Sequence, residues 1–384
     1  MCLYHVSTIY GEYKFHIKAV RGSGKSTWAR RNFASALWFD LLDESLFQDL
    51  LRDPGLFAGM LESLRPGDWV VIDEVQRLPS LLNEVHRWIE TRKLRFALLG
   101  SSARKLKAAG TNLLAGRARQ LMMHPLSACE LGKSFDIGAA LRFGTIPLIV
   151  DSEDPRATLD SYVQLYLREE IRAEALVRNL PGFVRFLPIA ALFHGQVLNV
   201  TALGRDAGVS RTTVQGYLDI LEDTLLVTRL PAFESKLRVR ERKLPKLYWV
   251  DPGLVRANKR QLGEVSAEER GALLEGWILG GLRAHSVTSH LFDEIFYWAP
   301  AQAAQTEVDF LLRREDQYLA IEVKASENYS TTHLKGLRAI AELPGIIRRI
   351  LIYQGRRSFR SSDGIDVWTI QRFHEALRNN ELWP

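Results

Sequence analysis

The run Ala19-Val20-Arg21-Gly22-Ser23-Gly24-Lys25-Ser26-Thr27 sets glycines beside a lysine and hydroxyl side chains. Glycines let consecutive backbone N–H groups close around an anion, a following lysine reaches the β- and γ-phosphates of a nucleotide, and the next serine ligates Mg²⁺ where a helix begins. Gly22, Ser23, Gly24, Lys25, Ser26 and Thr27 are therefore candidate phosphate-binding residues. Ala19 stands where the full pattern has its first glycine, and the plain alternative is a surface glycine turn. Downstream, Trp69-Val70-Val71-Ile72-Asp73-Glu74 is an apolar strand ending in two carboxylates. A buried strand hides such a pair only at high cost, so its end faces solvent, a cation or a ligand. Asp73 would hold the Mg²⁺ shell and Glu74 would polarise the attacking water, against the alternative of two solvated acids. Together the two runs point to ATP and Mg²⁺ as cofactors.

Other residues could join this chemistry. The strand Phe96–Gly100 leads into Ser101-Ser102, where a side chain could sense the γ-phosphate or cap the next helix. Arg117 and Arg119 could supply an arginine finger, in cis or to a neighbouring subunit, or be ordinary surface arginines. Near the end, Glu307-Val308-Asp309-Phe310 and Ile321-Glu322-Val323-Lys324 lie on successive strands. Asp309 and Glu322 could bind a metal at a shared strand end beside Lys324, with Glu275 completing the shell, as in a phosphodiesterase. An ordinary Glu–Lys surface match is the alternative that spacing alone favours.

The elements that must position these residues follow from apolar patterning. Strands are expected at His16–Val20, Ala36–Asp40, Trp69–Asp73 and Arg95–Gly100, alternating with helical stretches as in a parallel α/β sheet. Between Leu159 and Leu230 apolar residues recur at helical spacing. There Thr201 precedes one helical run and Ser210 a second, Arg211–Glu222, with Leu225-Leu226-Val227 as a wing strand. That layout is a winged helix-turn-helix, with Val214, Leu218 and Leu221 facing the core and Arg211, Thr212 and Gln215 exposed. A structural or protein-docking helical domain is the competing reading. Lys236, Arg238, Arg240, Arg242, Lys243 and Lys246 follow closely, suited to DNA phosphates or to a solvated basic loop. After Gly271 the expected order is helix Ala272–Ala284, strands Glu294–Trp298, Glu307–Leu312 and Leu319–Val323, helix Thr332–Ala341 and strand Arg349–Tyr353. The expected domains span 13–150, 151–235 and 236–384.

With 384 residues, 46% hydrophobic and 25% charged, the chain has apolar material for more than one core. No apolar run approaches the roughly 20 residues that cross a bilayer, so no membrane partner is expected. Two cysteines and the lack of a secretory pattern at the start fit a reducing cytoplasm. The net charge of +6 mildly favours an anionic partner such as DNA.

The order of these motifs resembles a prokaryotic ATPase family of the AAA-type superfamily that carries a C-terminal domain of unknown function. The resemblance rests on Arg21–Ser26, Ile72-Asp73-Glu74-Val75-Gln76, Leu99–Ser102, Ala115-Gly116-Arg117, His124–Ser127, Tyr248-Trp249-Val250-Asp251-Pro252-Gly253-Leu254, Leu274-Glu275, Glu307–Asp309 and Ile321–Lys324. It implies a P-loop NTPase parallel sheet, a winged-helix-like helical middle and a small α/β domain similar to restriction endonucleases. The expected activity is ATP hydrolysis coupled to DNA contact, with an oligomer possible. The alternatives are a metal-dependent nuclease regulated by ATP and a nucleotide-switched DNA-binding regulator.

Overall fold

The computed structural model describes residues 15–100, 119–166, 179–234, 244–300 and 306–384. The chain divides into two compact units, one running to His124 and taking in Asp223–Leu225, the other holding Pro125–Glu222 and Leu226–Pro384.

In the first unit the strands are β1 (Phe15–Ala19), β2 (Leu37–Asp40), β3 (Trp69–Asp73), β4 (Arg95–Gly100) and β5 (Arg119–Met123), and the helices are α1 (Lys25–Asn32), α2 (Glu44–Arg52), α3 (Pro54–Leu61) and α4 (Leu81–Arg92). The sheet order is β2-β3-β4-β1-β5, and every pairing is parallel. Central parallel strands are covered on both faces and so read as continuous apolar runs. Val70, Val71 and Ile72 of β3 are fully buried, as are Ala97 and Leu99 of β4. Helix α4 buries Leu81, Leu82, Val85, Trp88 and Ile89, a helical repeat that packs on Phe57, Val70, Ile72 and Phe96. Asp43 caps α2 through the Ser45 and Leu46 N–H groups, and Asp53 with Pro54 opens α3. Because all strands run the same way, the loops after β1 and β3 emerge at one edge, where open α/β sheets bind ligands.

The second unit begins with α5 (Ala128–Leu131), α6 (Ile137–Phe143), α7 (Pro147–Val150), α8 (Pro155–Ser161) and α9 (Leu180–Leu192). The sequence reading carries the nucleotide domain from 13 to 150, whereas Pro125 onward falls in the second unit. Here α6 and the loop after it bond instead to the second unit, the Thr145 N–H donating to Asp251 and the Arg142 carbonyl accepting from Arg256. Next come β6 (Gln196–Val197), α10 (Val200–Ala207), α11 (Arg211–Asp223), β7 (Val227–Leu230) and β8 (Lys246–Trp249), with the sheet β6-β8-β7 antiparallel throughout. Asn199 caps α10 by accepting from the Ala202 N–H, which places Thr201 inside the helix, and Ser210 accepts from the Thr213 N–H at the start of α11. Val214, Leu218 and Leu221 are buried and Arg211, Thr212 and Gln215 exposed, as their spacing requires.

The chain closes with α12 (Pro252–Asn258), α13 (Ala267–Ser289), β9 (Glu294–Trp298), β10 (Val308–Arg314), β11 (Gln317–Lys324), α14 (Lys335–Ala339), β12 (Ile346–Tyr353), β13 (Phe359–Arg360), β14 (Asp366–Thr369) and α15 (Ile370–Arg378). The mixed sheet has order β13-β14-β12-β11-β10-β9, with β11, β12 and β14 parallel. Val308, Leu311, Ala320, Leu351 and Val367 form its core with Leu334 and Leu337. Among the described residues no helix is long and apolar enough to cross a membrane.

Candidate nucleotide site and a buried carboxylate cluster

The loop after β1 turns through Gly22 (φ 75°) and Gly24 (φ 78°), left-handed conformations that favour glycine. Gly24 then starts α1 with no side-chain cap, so its first N–H groups remain available to an anion. Lys25 and Ser26 sit in that first turn, while Thr27 is exposed on its outer side. Ser23 is 3% exposed, and among the described residues its buried hydroxyl has no hydrogen-bond partner. A loop that leaves donors and a buried hydroxyl open fits phosphate oxygens.

Strand β3 delivers Asp73 and Glu74 to this loop. The Ser26 hydroxyl bonds Asp73, whose other bond comes from the Glu74 N–H at 2.9 Å. Burial raises the Asp73 carboxyl above its usual range despite Ser26 and Lys25. Glu74 takes a left-handed conformation, φ 55° and ψ 41°, rare for a side-chain-bearing residue. That bend turns its carboxylate to the Lys25 ammonium on one oxygen and the Gln76 carboxamide on the other. Gln76 is 4% exposed and packs against Gly100, where a Cβ would lie 2.6 Å from its Oε1. Gln76 thus joins the candidate site through Glu74, although its residue type alone assigns it no chemistry within the motif Ile72–Gln76.

In the second unit, Asp309 and Glu322 stand on neighbouring strands at 2% and 4% exposure. Asp309 Oδ2 accepts the Val323 N–H at 2.8 Å, and Lys324 pairs with Glu322 Oε1. Lys246 reaches the other side of this group. Its ammonium lies 3.1 Å from Glu275, 3.5 Å from Glu307 and 3.6 Å from Asp309. The Tyr248 hydroxyl donates to the same Glu275 oxygen. Burial, then the Asp309 charge, pushes the Glu275 carboxyl up to about 7, and burial likewise raises Glu322 well above its usual range. Burial opposes the charge on Lys246, but Glu275, Asp309 and Glu307 together hold its pKa above that of ordinary lysine.

Residues 14–132 match the family model described as an AAA domain. Residues 135–263 and 270–373 match two models described as domains of unknown function, DUF8612 and DUF4143. The chain is 28% identical over 357 residues to an uncharacterized protein of Mycobacterium bovis, covering 90% of this chain and 77% of that protein. It is 23% identical over 391 residues to an uncharacterized protein of Haemophilus influenzae, covering 92% and 94%. Among solved structures it is similar to the Aeropyrum pernix ORC1 protein in complex with DNA, with 13% identity, 67% of this chain and 91% of that chain covered, and TM-score 0.30. A STAND protein of Pyrococcus horikoshii gives 16% identity, 74% and 46% coverage, and TM-score 0.27. At such TM-scores neither likeness bears on fold or function.

Lys25, Ser26, Asp73 and Glu74 thus come together, whereas Ser101, Ser102 and Arg117 lie outside the described residues. So do the basic residues Lys236, Arg238, Arg240, Arg242 and Lys243. Lys246 departs from the expectation of a phosphate contact. As part of β8 it is 3% exposed and turned onto carboxylates, because the face of β8 that carries it packs against Glu275 of α13 and Asp309 of β10. The Tyr248–Leu254 motif is structural in its local bonds: the Trp249 N–H donates to His194, and Asp251 caps α12 through Gly253 and Leu254.

Proposed function

We propose that the chain binds Mg–ATP at Lys25, Ser26, Asp73 and Glu74 and hydrolyses it. The observation that carries this reading is the convergence of two separate sequence runs, Lys25 meeting Glu74 while Ser26 bonds Asp73. The AAA domain match over 14–132 supports it. The open N–H groups of α1 and the buried Ser23 hydroxyl suit phosphate oxygens. Ser26 would hold Mg²⁺ directly and Asp73 through water; when bound, the ion offsets charge on the phosphates. Lys25 cannot serve Glu74 and a γ-phosphate at once. Nucleotide binding draws its ammonium off Glu74, which Gln76 keeps in place to orient the attacking water.

The reading extends to DNA contact through the second unit. Its support is the order α10, turn, α11, β7, the order a winged helix would have, together with exposed Arg211, Thr212 and Gln215 and a net charge of +6. Arg117 would act as a finger in cis or on a neighbouring copy.

ATP hydrolysis measured for the parent and Glu74→Gln, with and without duplex DNA, tests both parts. The variant should turn over about 10²–10⁴-fold more slowly, the range of a lost general base, while still binding nucleotide. Equal rates in the two proteins would sink the role of Glu74, and a parental rate indifferent to DNA would remove the coupling.

A further inference from the structure

The carboxylates of the second unit have the residue types of a metal-dependent phosphodiesterase, and the nuclease alternative requires an ion among them. Their geometry serves a different cation. Mg²⁺ and Ca²⁺ sit about 2.0–2.6 Å from their oxygen ligands. An ion bonded to Asp309 Oδ1 and Glu275 Oε1 would press against the Lys246 ammonium, which lies 3.6 Å and 3.1 Å from those same atoms. The other Asp309 oxygen is already engaged by the Val323 N–H. Among the described residues, no three His, Cys, Asp or Glu side chains are arranged to share a metal ion.

The lysine is also held in place from behind. Its backbone pairs with Val197 on one side and Leu230 on the other, and its ammonium lies 5.4 Å from the centre of the Tyr297 ring. Its partners belong to other elements: Glu275 is on α13, Asp309 on β10, and Glu307 just before β10. The cluster therefore fastens the three-stranded sheet to the six-stranded one by buried charge. Among the described residues Glu322 Oε2 is buried without a hydrogen-bond partner, and a metal reading would start from it.

We propose that the Lys246 ammonium is the resident cation of the Glu275–Glu307–Asp309 cluster, filling the position a divalent ion would need, so that the closing domain works without a metal. The ligand class of the site is a primary ammonium supplied by the chain itself. Its role is to join two sheets rather than to cleave a phosphodiester.

Mn²⁺ titrated into the nucleotide-free full chain, with free ion followed by electron paramagnetic resonance, tests this. The parent and Asp309→Asn should bind the same number of Mn²⁺ ions. Lys246→Ala should gain one ion, at least tenfold tighter than any in the parent, and lose it again on adding Glu275→Gln. An ion in the parent that Asp309→Asn removes would overturn the proposal, as would a folded Lys246→Ala that gains none. If Lys246→Ala does not fold, the comparison of parent with Asp309→Asn decides the question alone.

Discussion

Lys25 and Lys246 both face carboxylates at low exposure, 8% and 3%, yet they are held differently. Lys25 stands at the mouth of a helix, after a glycine hinge, and shares one carboxylate with a neutral partner, Gln76. Lys246 projects from a central strand into three carboxylates. The lesson is that a lysine–carboxylate contact becomes a working contact only when the surroundings let one partner leave. Around Lys25 an anion can replace Glu74; around Lys246 every replacement leaves charges buried.

Stability separates the two most sharply. Removing one member of a buried ion pair costs about 3–5 kcal/mol because the others stay behind unpaired. Lys246→Met should therefore lower unfolding free energy by that amount, while Lys25→Met should cost less than about 1 kcal/mol, since Glu74 keeps Gln76. Urea denaturation of both variants checks the contrast, and equal losses would break it.

Next in size is Gly144→Ala. Gly144 has φ +80°, and an added Cβ would lie 1.8 Å from Asp251 Oδ1, the carboxylate that caps α12. Strain and a displaced buried carboxylate together should cost about 3 kcal/mol. Thermal and urea midpoints of this variant, set beside those of Gly67→Ala, isolate the clash: Gly67 also has positive φ but open space around its Cβ position.

The smallest expected effect concerns pH. His194 is 3% exposed, and burial lowers its pKa to about 3. A group depressed in the fold contributes stability that is present above its unfolded pKa, near 6.5, and lost as pH falls toward 3. From pH 7 to 5 the loss is about 2 kcal/mol. Asp251 and Glu275, raised to about 6 and about 7, work in the opposite direction, so the parent alone hides the effect. The difference in unfolding free energy between the parent and His194→Asn, measured at pH 7 and pH 5, should shrink by that amount. A constant difference would show that His194 titrates normally.

The residues of the candidate nucleotide site could be picked out because they are contiguous in two short runs. Gly22 to Ser26 and Ile72 to Glu74 each fall within one turn or one strand end, and strand spacing carried Trp69–Asp73 and Arg95–Gly100 to the residue. Ser210 was readable as a cap for the same reason. Gln76 was not, since only the left-handed turn at Glu74 swings its amide back onto the carboxylate. Nor were β5, β8, β13, β14 and α15 expected; Lys246 in particular looked like one more member of a basic run.

What the amino-acid order determined by itself was local: which glycines can turn, which helices are capped, and which strand ends carry acids. Whether those acids meet a nucleotide, a metal or a lysine was decided by packing between distant segments. Charge is expensive to bury, and the cost depends on every group within a few ångströms. Lys246 and Glu275 are near each other only because β8 and α13 pack together, and it is that proximity, absent from any motif, which distinguishes the closed cluster from the open site at Lys25.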